Sequence, residues 1–127
     1  MSKFTKETAE SFYGEHIGKP FFPNLQEFMC SDVVIGMELI ADDAVTKWRT
    51  FIGPTNTDRA KQEAPNSIRA IFGTDGTKNA VHGSDSNESA AREINFFFGG
   101  EGKEKCMKTS AVLNNCTLCI IKPHIIK

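Results

Sequence analysis

A lone histidine, His82, lies in the stretch NAVHGSDSNES at residues 79–89, where it follows a short apolar pair and precedes a glycine. An unprotonated imidazole is a good nucleophile near neutral pH, and its bond to phosphorus stays reactive enough to pass a phosphoryl group on. A single histidine in such a place more often does no more than end a strand. Both interpretations stay open until the surrounding residues are considered.

Two arginines and two apolar residues elsewhere could serve a phosphorylated ligand. Phosphoryl transfer depends mostly on positioning and charge stabilisation, so it needs cations such as Arg49 and Arg69. Taken singly, both would more often be solvated charges on a helix and at a strand edge. Phe21 and Leu25 are four positions apart and share a helix face, where they could hold a base, although Phe21 and Phe22 could equally be core residues.

Length and composition limit the classes of function. With 127 residues, 39% of them apolar, the chain is expected to form one globular domain. A net charge of -1 provides no basic field, which argues against nucleic acid and anionic lipid as partners. We find neither a signal peptide nor an apolar run that could span a membrane, and therefore expect a soluble cytoplasmic protein.

The four cysteines do not follow the spacing of a metal site. Only Cys116 and Cys119 are close together, in CTLC, and the residues between them alternate as in a strand. A zinc site would need a second ligand pair, and a redox pair would need a helix N-terminus behind it. We therefore interpret Cys30, Cys106, Cys116 and Cys119 as reduced structural thiols and expect no metal held by the protein alone.

Hydrophobic periodicity predicts short elements around these residues. Strands and helices alternate but are few, which predicts an α/β or α+β domain with one small sheet. The predicted elements, in chain order, are a helix in residues 5–16, a helix beginning near Pro20, a strand at VVIGMELI (33–40), a helix after Asp42 and Asp43, a polar loop over residues 54–67, a strand at SIRAIFG (67–73), a short extended piece at NAVHG, a helix capped by Ser84 or Asp85, and a strand at CTLCII (116–121).

Several blocks together resemble the nucleoside diphosphate kinase family. The Asn-x-x-His-Gly-Ser-Asp pattern in NAVHGSDSNESAAREI is that family's signature, and YGEHIGKPFF, KWRTFIGPTN and SIRAIFG follow its order and approximate spacing. The resemblance covers roughly residues 5–98 and looks nearest to the tandem-domain branch associated with cilia and microtubules. It implies a ferredoxin-like antiparallel sheet with helices packed on it. It also implies transfer of a γ-phosphoryl group between nucleotides.

The resemblance assigns a phosphohistidine carrier and its surroundings. His82 matches the carrier, and Glu93 matches the glutamate that orients its ring. Ser84 is expected to hydrogen-bond near the phosphate and to serve the helix start, while Gly83 is expected to give the incoming phosphate room. Tyr13 matches a tyrosine beside the catalytic histidine, although it could equally be a core residue.

The resemblance also assigns the nucleotide contacts. Arg49 and Arg69 match the two phosphate arginines, Thr55 a phosphate hydroxyl, Asn79 a ribose contact and Lys122 a lysine that reaches ribose and phosphate. ATP and other nucleoside tri- and diphosphates are the implied ligands. Mg²⁺ is implied as a cofactor bound through nucleotide phosphates, since no dedicated protein cage is needed. A homo-oligomer and microtubule or ciliary partners are further implications.

The order of the elements departs from the family. A strand ending in Lys-Pro, a helix and a second strand normally open the domain, whereas here the Lys-Pro strand comes last, in CTLCIIKPH. We therefore expect a fragment, a splice form or a permuted version, with a kinase-like domain at 1–105, a connector at 106–115 and the Lys-Pro strand at 116–127. That strand either starts a following domain or docks between VVIGMELI and SIRAIFG or their neighbours. The alternative function is a nucleotide-binding scaffold module that has weak or no activity.

Overall fold

The computed structural model describes residues 1–99 and 116–125; the expected connector at 106–115 lies outside them. Short helices and strands alternate along the described chain. In chain order, the elements are β1 Ser2–Lys3, α1 Lys6–Phe12, α2 Phe22–Ser31, β2 Val33–Ile40, α3 Ala44–Ile52, α4 Thr57–Glu63, α5 Ile68–Phe72, β3 Val81–Gly83, α6 Asn87–Phe98 and β4 Cys116–Ile121. Two short segments, Gly14–His16 and Pro123–Ile125, form single turns of 3-10 helix.

The four strands form one antiparallel sheet in the order β1, β2, β4, β3. Strand β4 pairs with β2 from Ile35 opposite Ile121 to Ile40 opposite Cys116, and it pairs with β3 along its other side. The Lys-Pro strand therefore lies inside this sheet. Residues 116–120 of β4 are all buried, including the polar Thr117, as befits a strand inside the sheet.

An apolar core fills the space between the sheet and α1, α2 and α6. Its fully buried members include Met29, Leu118 and Ile120. Phe12 packs edge-on against Phe96, with ring centroids 5.2 Å apart. Phe96, Phe97 and Phe98 pack against this core. In the part of the chain that the structure describes, no helix has the length and apolar character needed to cross a membrane.

Two predicted elements are wrong. SIRAIFG is not a strand: residues 68–72 form α5, and the Ser67 hydroxyl accepts a hydrogen bond from the Ala70 amide at its start. The expected loop at 54–67 contains α4, which begins with the Asn56 side chain accepting from the Arg59 amide. Because SIRAIFG is helical, the second neighbour of the Lys-Pro strand is β3.

Two helix starts differ from the prediction by one or two residues. Helix α6 is capped by Ser86, not by Ser84 or Asp85; Ser86 and Ser89 exchange side-chain-to-backbone bonds in a capping box. Helix α2 begins at Phe22, two residues after Pro20, and buries Phe22 in place of Phe21. The Phe21 ring is therefore left 47% exposed.

Candidate active site

A cavity of about 360 Å³ opens at one end of the sheet, where β3, α3, α5 and Lys122, the residue after β4, come together. It collects side chains that are far apart in the chain. All the predicted site residues except Ser84 line it: Tyr13, Phe21, Leu25, Arg49, Thr55, Arg69, Asn79, His82, Glu93 and Lys122.

His82 is held by a short chain of hydrogen bonds that starts in the sheet. The Leu118 amide of β4 donates to Ser84 Oγ at 3.2 Å, and Ser84 Oγ donates to Glu93 Oε2 at 2.7 Å. The same Glu93 oxygen lies 2.9 Å from His82 Nε2. A carboxylate accepts hydrogen bonds, so the neutral ring places its hydrogen on Nε2 and its lone pair on Nδ1.

Ser84 has a different position from the one expected. Its side chain is fully buried and bonds Glu93, so it neither faces the cavity nor caps the next helix. Its hydroxyl instead fixes the carboxylate that contacts the His82 ring. Ser84 is therefore a positioning residue that acts through Glu93.

Gly83 lines the cavity and also meets a close side chain that sequence reasoning did not predict. A Cβ at this position would lie 2.5 Å from Cδ1 of Trp48, so the approach of this ring requires a glycine. Trp48 Nε1 donates to the His82 carbonyl at 3.2 Å, and Arg49 donates to the Gly83 carbonyl at 3.4 Å. Helix α3 thus holds the backbone that immediately follows the His82 side chain.

Aromatic rings enclose the other side of His82. Phe12 and Tyr13 both meet its ring edge-on, with centroids 5.5 and 6.1 Å away. The Tyr13 hydroxyl is buried and has no hydrogen-bond partner among the described residues. Burial, followed by the nearby charge of Glu93, raises the pKa of Tyr13. Tyr13 is therefore a neutral donor that faces the cavity beside the histidine.

Arg69 is the more deeply buried of the two arginines. Its guanidinium donates to the carbonyls of Gly53 at 3.0 Å and Val81 at 3.1 Å, and to Thr55 Oγ1 at 3.3 Å. Burial and, secondarily, the charge of Arg49 lower the pKa of Arg69 to about 10. Arg69 therefore ties β3 to the loop before α4 as well as presenting charge to the cavity.

Lys122 enters the cavity from the end of β4. Its Nζ donates to Asn79 Oδ1 at 2.6 Å and to the Thr77 carbonyl at 2.9 Å. The Asn79 amide donates in turn to the Thr55 carbonyl at 3.1 Å. Burial, with a smaller effect of Arg69, lowers the pKa of Lys122 to about 7. A ligand that carries negative charge would favour the charged amine and raise this pKa.

The cavity also has lining residues that we did not predict. Glu15 and His16 belong to the YGEHIGKPFF block, but sequence reasoning gave them no role. The His16 ring stacks on Tyr13 with centroids 6.0 Å apart and meets the edge of Phe21 at 5.4 Å. Asp85 follows His82 within the signature block, so proximity in sequence was the available signal for it.

The described part of the chain offers few side-chain ligands for a metal ion. Across residues 1–99 and 116–125, no group of three or more histidine, cysteine, aspartate and glutamate side chains could hold one. The cavity does contain Asp85, a hard oxygen ligand of the kind that Mg²⁺ accepts. These residues fit an ion that takes most of its ligands from nucleotide phosphates and water.

Comparison with known proteins agrees with this geometry. The family model for nucleoside diphosphate kinase matches residues 1–102, which is most of the chain. The chain belongs to the nucleoside diphosphate kinase family. The expected α+β class with a ferredoxin-like antiparallel sheet is confirmed by a similar crystal structure, that of the nucleoside diphosphate kinase of Aquifex aeolicus. Its TM-score is 0.69 at 46% identity, and the match covers 78% of this chain and 70% of that one.

Two relatives differ in how much of their own length this chain covers. The chain is 47% identical over 126 residues to nucleoside diphosphate kinase homolog 7 of Rattus norvegicus, covering 99% of this chain and 32% of that protein. It is 52% identical over 100 residues to the nucleoside diphosphate kinase of Aquifex aeolicus (strain VF5), covering 79% and 70%. The chain thus spans about a third of the length of the homolog 7 protein. The sequence resemblance to homolog 7 is confirmed.

Proposed function

We propose that this chain transfers the γ-phosphoryl group of a nucleoside triphosphate to a nucleoside diphosphate, with His82 as the covalent carrier. The observation that carries the proposal is the 2.9 Å contact between His82 Nε2 and Glu93 Oε2 in a cavity that also holds Arg49, Arg69 and Lys122. The contact leaves the Nδ1 lone pair as the nucleophile. The three cations offer charge for a polyphosphate.

The transfer proceeds in two half-reactions. In the first, the Nδ1 lone pair of His82 attacks the γ-phosphorus, the bond between that phosphorus and the bridging oxygen breaks, and a nucleoside diphosphate leaves. Positive charge that develops on the ring is shared with Glu93 through the Nε2 hydrogen bond. In the second, a terminal oxygen of another nucleoside diphosphate attacks the phosphorus and the phosphorus–nitrogen bond breaks.

The cations act mainly by stabilising charge on the phosphates. Arg49 is exposed at the rim and can follow a phosphate, whereas Arg69 and Lys122 are buried and already fixed by the protein. Fixed donors need no reorganisation during the reaction, which favours the transition state. When bound to the nucleotide, Mg²⁺ would neutralise phosphate charge, and Asp85 is the cavity carboxylate that could contact it.

Replacement of His82 tests the proposal. We expect His82→Ala to abolish turnover of ATP with a nucleoside diphosphate while calorimetry still detects nucleotide binding. His124→Ala is the matched control, since His124 does not line this cavity; it should keep turnover. Turnover that persists in His82→Ala contradicts the carrier role.

A second candidate function is a nucleotide-binding module without turnover. It is favoured by the buried cations, because the Arg69 and Lys122 side chains already bond backbone carbonyls and Asn79. Such a module would bind nucleotide with the same cavity but leave the protein unphosphorylated. Incubation with MgATP separates the two functions, because only the kinase incorporates phosphate.

The remaining implications of the family concern assembly and location. We propose a homo-oligomer, and a cytoplasmic location that extends to microtubules or cilia, on the resemblance to the homolog 7 branch alone. Sedimentation of the purified chain tests the first, and co-pelleting with assembled microtubules tests the second. A monomer at micromolar concentration would contradict the homo-oligomer. Protein that stays in the supernatant when microtubules are pelleted would contradict the microtubule association.

A further inference from the structure

Strand β2 has one edge that the described part of the chain leaves largely uncovered. Its residues 35–40 pair with β4 on one side. On the other side β1 pairs only with Val33 and Val34, and no other strand among the described residues pairs with β2 there. In an antiparallel strand every second residue directs both its N–H and its C=O to the same side. Three of the residues 35–40 therefore present unpaired backbone groups along this edge.

The two faces of the sheet differ along this edge. A Cβ at Gly36 would lie 2.8 Å from Cδ1 of Phe97, so Gly36 is turned toward α6. Glu38 is on the same face, since side chains alternate along a strand. The opposite face carries three half-buried apolar side chains: Ile35, Met37 and Leu39. A strand added at this edge would find apolar cross-strand neighbours on that face.

Glu38 has a buried carboxylate oxygen that lacks a donor. Its Oε1 is buried and has no hydrogen-bond partner within the described chain. Leu118, which lies opposite Glu38 on β4, offers only an apolar side chain. Burying a carboxylate oxygen without a donor is unfavourable. A residue directly opposite Glu38 on an added strand would have its Cβ about 4.5–5.5 Å away, within reach of a lysine or arginine side chain.

The charge of Glu38 also indicates which kind of strand fits. Symmetric antiparallel pairing of two copies through residues 35–40 would place the two Glu38 side chains on one face, at opposite or diagonal positions. Like charges that face each other across two strands are destabilising, whereas opposite charges are stabilising. The edge therefore suits a strand of a different protein that carries a basic residue at this position better than it suits a second copy of this chain.

We propose that residues 35–40 are a docking site for an extended segment of a partner protein, which adds to the sheet antiparallel to β2 and presents a lysine or arginine opposite Glu38. Main-chain hydrogen bonds along the edge supply the attachment, and the basic side chain supplies the selectivity. The segment would keep the direction of β1, which is also antiparallel to β2. Strand β3, which carries His82, lies at the other edge of the sheet, and residues 35–40 do not line the cavity. The docking site is thus independent of the proposed function.

Amide hydrogen exchange of the unmodified protein tests whether the edge is open. Within residues 35–40, we expect the amides that bond to β4 to exchange slowly and the alternate amides, which face the open edge, to exchange rapidly. Slow exchange at every one of these amides would show that the edge is already paired, and would overturn the proposal.

Two synthetic hexapeptides, TVKVTV and TVEVTV, test the chemistry of the partner. When antiparallel to residues 35–40, they place lysine or glutamate opposite Glu38 and a valine opposite each apolar residue of the other face. We expect fluorescence anisotropy of the labelled peptides to show about fivefold to tenfold tighter binding of the lysine peptide, because repulsion replaces attraction in the glutamate peptide. The rapidly exchanging amides of residues 35–40 should become slow when the lysine peptide is bound.

Replacement of Glu38 completes the test. Glu38→Gln removes the charge and keeps the size of the side chain, so the two peptides should bind this variant with equal affinity. Glu27→Gln is the matched control, since Glu27 is an exposed carboxylate on α2; it should keep the preference for lysine. Equal binding of the two peptides to the unmodified protein, binding of neither peptide, or a preference for lysine that survives Glu38→Gln overturns the docking site and leaves the proposed function intact.

Discussion

Removal of one buried hydroxyl, by Ser84→Ala, should affect stability and catalysis together. Ser84 Oγ donates to Glu93 Oε2 at 2.7 Å and accepts from the Leu118 amide at 3.2 Å. A hydrogen bond to a charged group contributes about 1.5–3 kcal/mol, and a buried amide left without an acceptor costs about 1–3 kcal/mol. Because the two losses share one side chain and do not add fully, we expect a loss of about 3 kcal/mol in the free energy of unfolding.

Ser86→Ala provides the matched comparison. Ser86 is two residues further on and caps α6 by accepting from the Ser89 amide at 3.1 Å, without contact to Glu93. Loss of a cap costs about 1 kcal/mol. The single tryptophan of the chain, Trp48, donates to the His82 carbonyl, so its fluorescence reports unfolding at the site in urea.

The two variants should differ in turnover as well. Ser84→Ala removes the hydrogen bond from Ser84 to Glu93 and should lower kcat, because the His82 ring is then less well oriented. Ser86→Ala should leave kcat unchanged. If Ser84→Ala is no more destabilising than Ser86→Ala and keeps full turnover, the chain from Leu118 to His82 does not position the histidine.

Three further predictions concern the cations and Gly83. Arg49→Ala should weaken triphosphate binding by about 1–2 kcal/mol without changing the urea midpoint. Arg69→Ala should also destabilise the fold by about 2 kcal/mol, because the buried Val81 carbonyl and the partly buried Gly53 carbonyl lose their donor. Calorimetry and urea titration check both variants, and equal urea midpoints contradict the difference. Burial lowers the pKa of Lys122 to about 7, so its amine is mainly neutral at about pH 8.5. A bound diphosphate favours the charged amine, and its binding at this pH should therefore be accompanied by the uptake of close to one proton. Calorimetry in buffers of different ionisation enthalpy measures this uptake, and its persistence in Lys122→Met contradicts the assignment. Gly83→Ala should displace Trp48 and cost about 1–3 kcal/mol of stability; an unchanged urea midpoint would show that the ring moves aside freely.

The proximity of residues that are distant in the chain could be predicted where those residues belong to a recognisable motif. His82 and Glu93 came from the signature block, and the structure brings them within 2.9 Å. The Lys-Pro strand was predicted from the alternation of its residues, and the structure confirms a strand at Cys116–Ile121. Its position next to β3 brings Lys122 to the cavity.

Short helices escaped prediction because they contain too few residues to show a period. Helix α5 has five residues, of which Ile68, Ile71 and Phe72 favour a strand by intrinsic propensity. Ile71 and Phe72 are exposed, so their apolar character does not mark a buried face. Helix α4 has seven mostly polar residues, and its sequence is also typical of a loop.

The roles of Ser84 and Gly83 depended on contacts that sequence spacing does not show. All four residues after Gly83 are of types that can cap a helix, so the local pattern could not distinguish Ser84, Asp85 and Ser86. Glu93, the seventh residue of α6, lies on its buried face and accepts a hydrogen bond from the Ser84 hydroxyl in the interior. Gly83 is required by the approach of Trp48, which lies 35 residues earlier in the chain.

The most direct test of the carrier mechanism is phosphorylation of the protein by MgATP in the absence of an acceptor. We expect one phosphate on His82 that is labile in acid, stable in alkali, and lost on addition of a nucleoside diphosphate with formation of the triphosphate. His82→Ala should carry no label. A label that resists acid, or nucleoside diphosphate phosphorylation without any labelled protein, would contradict the mechanism.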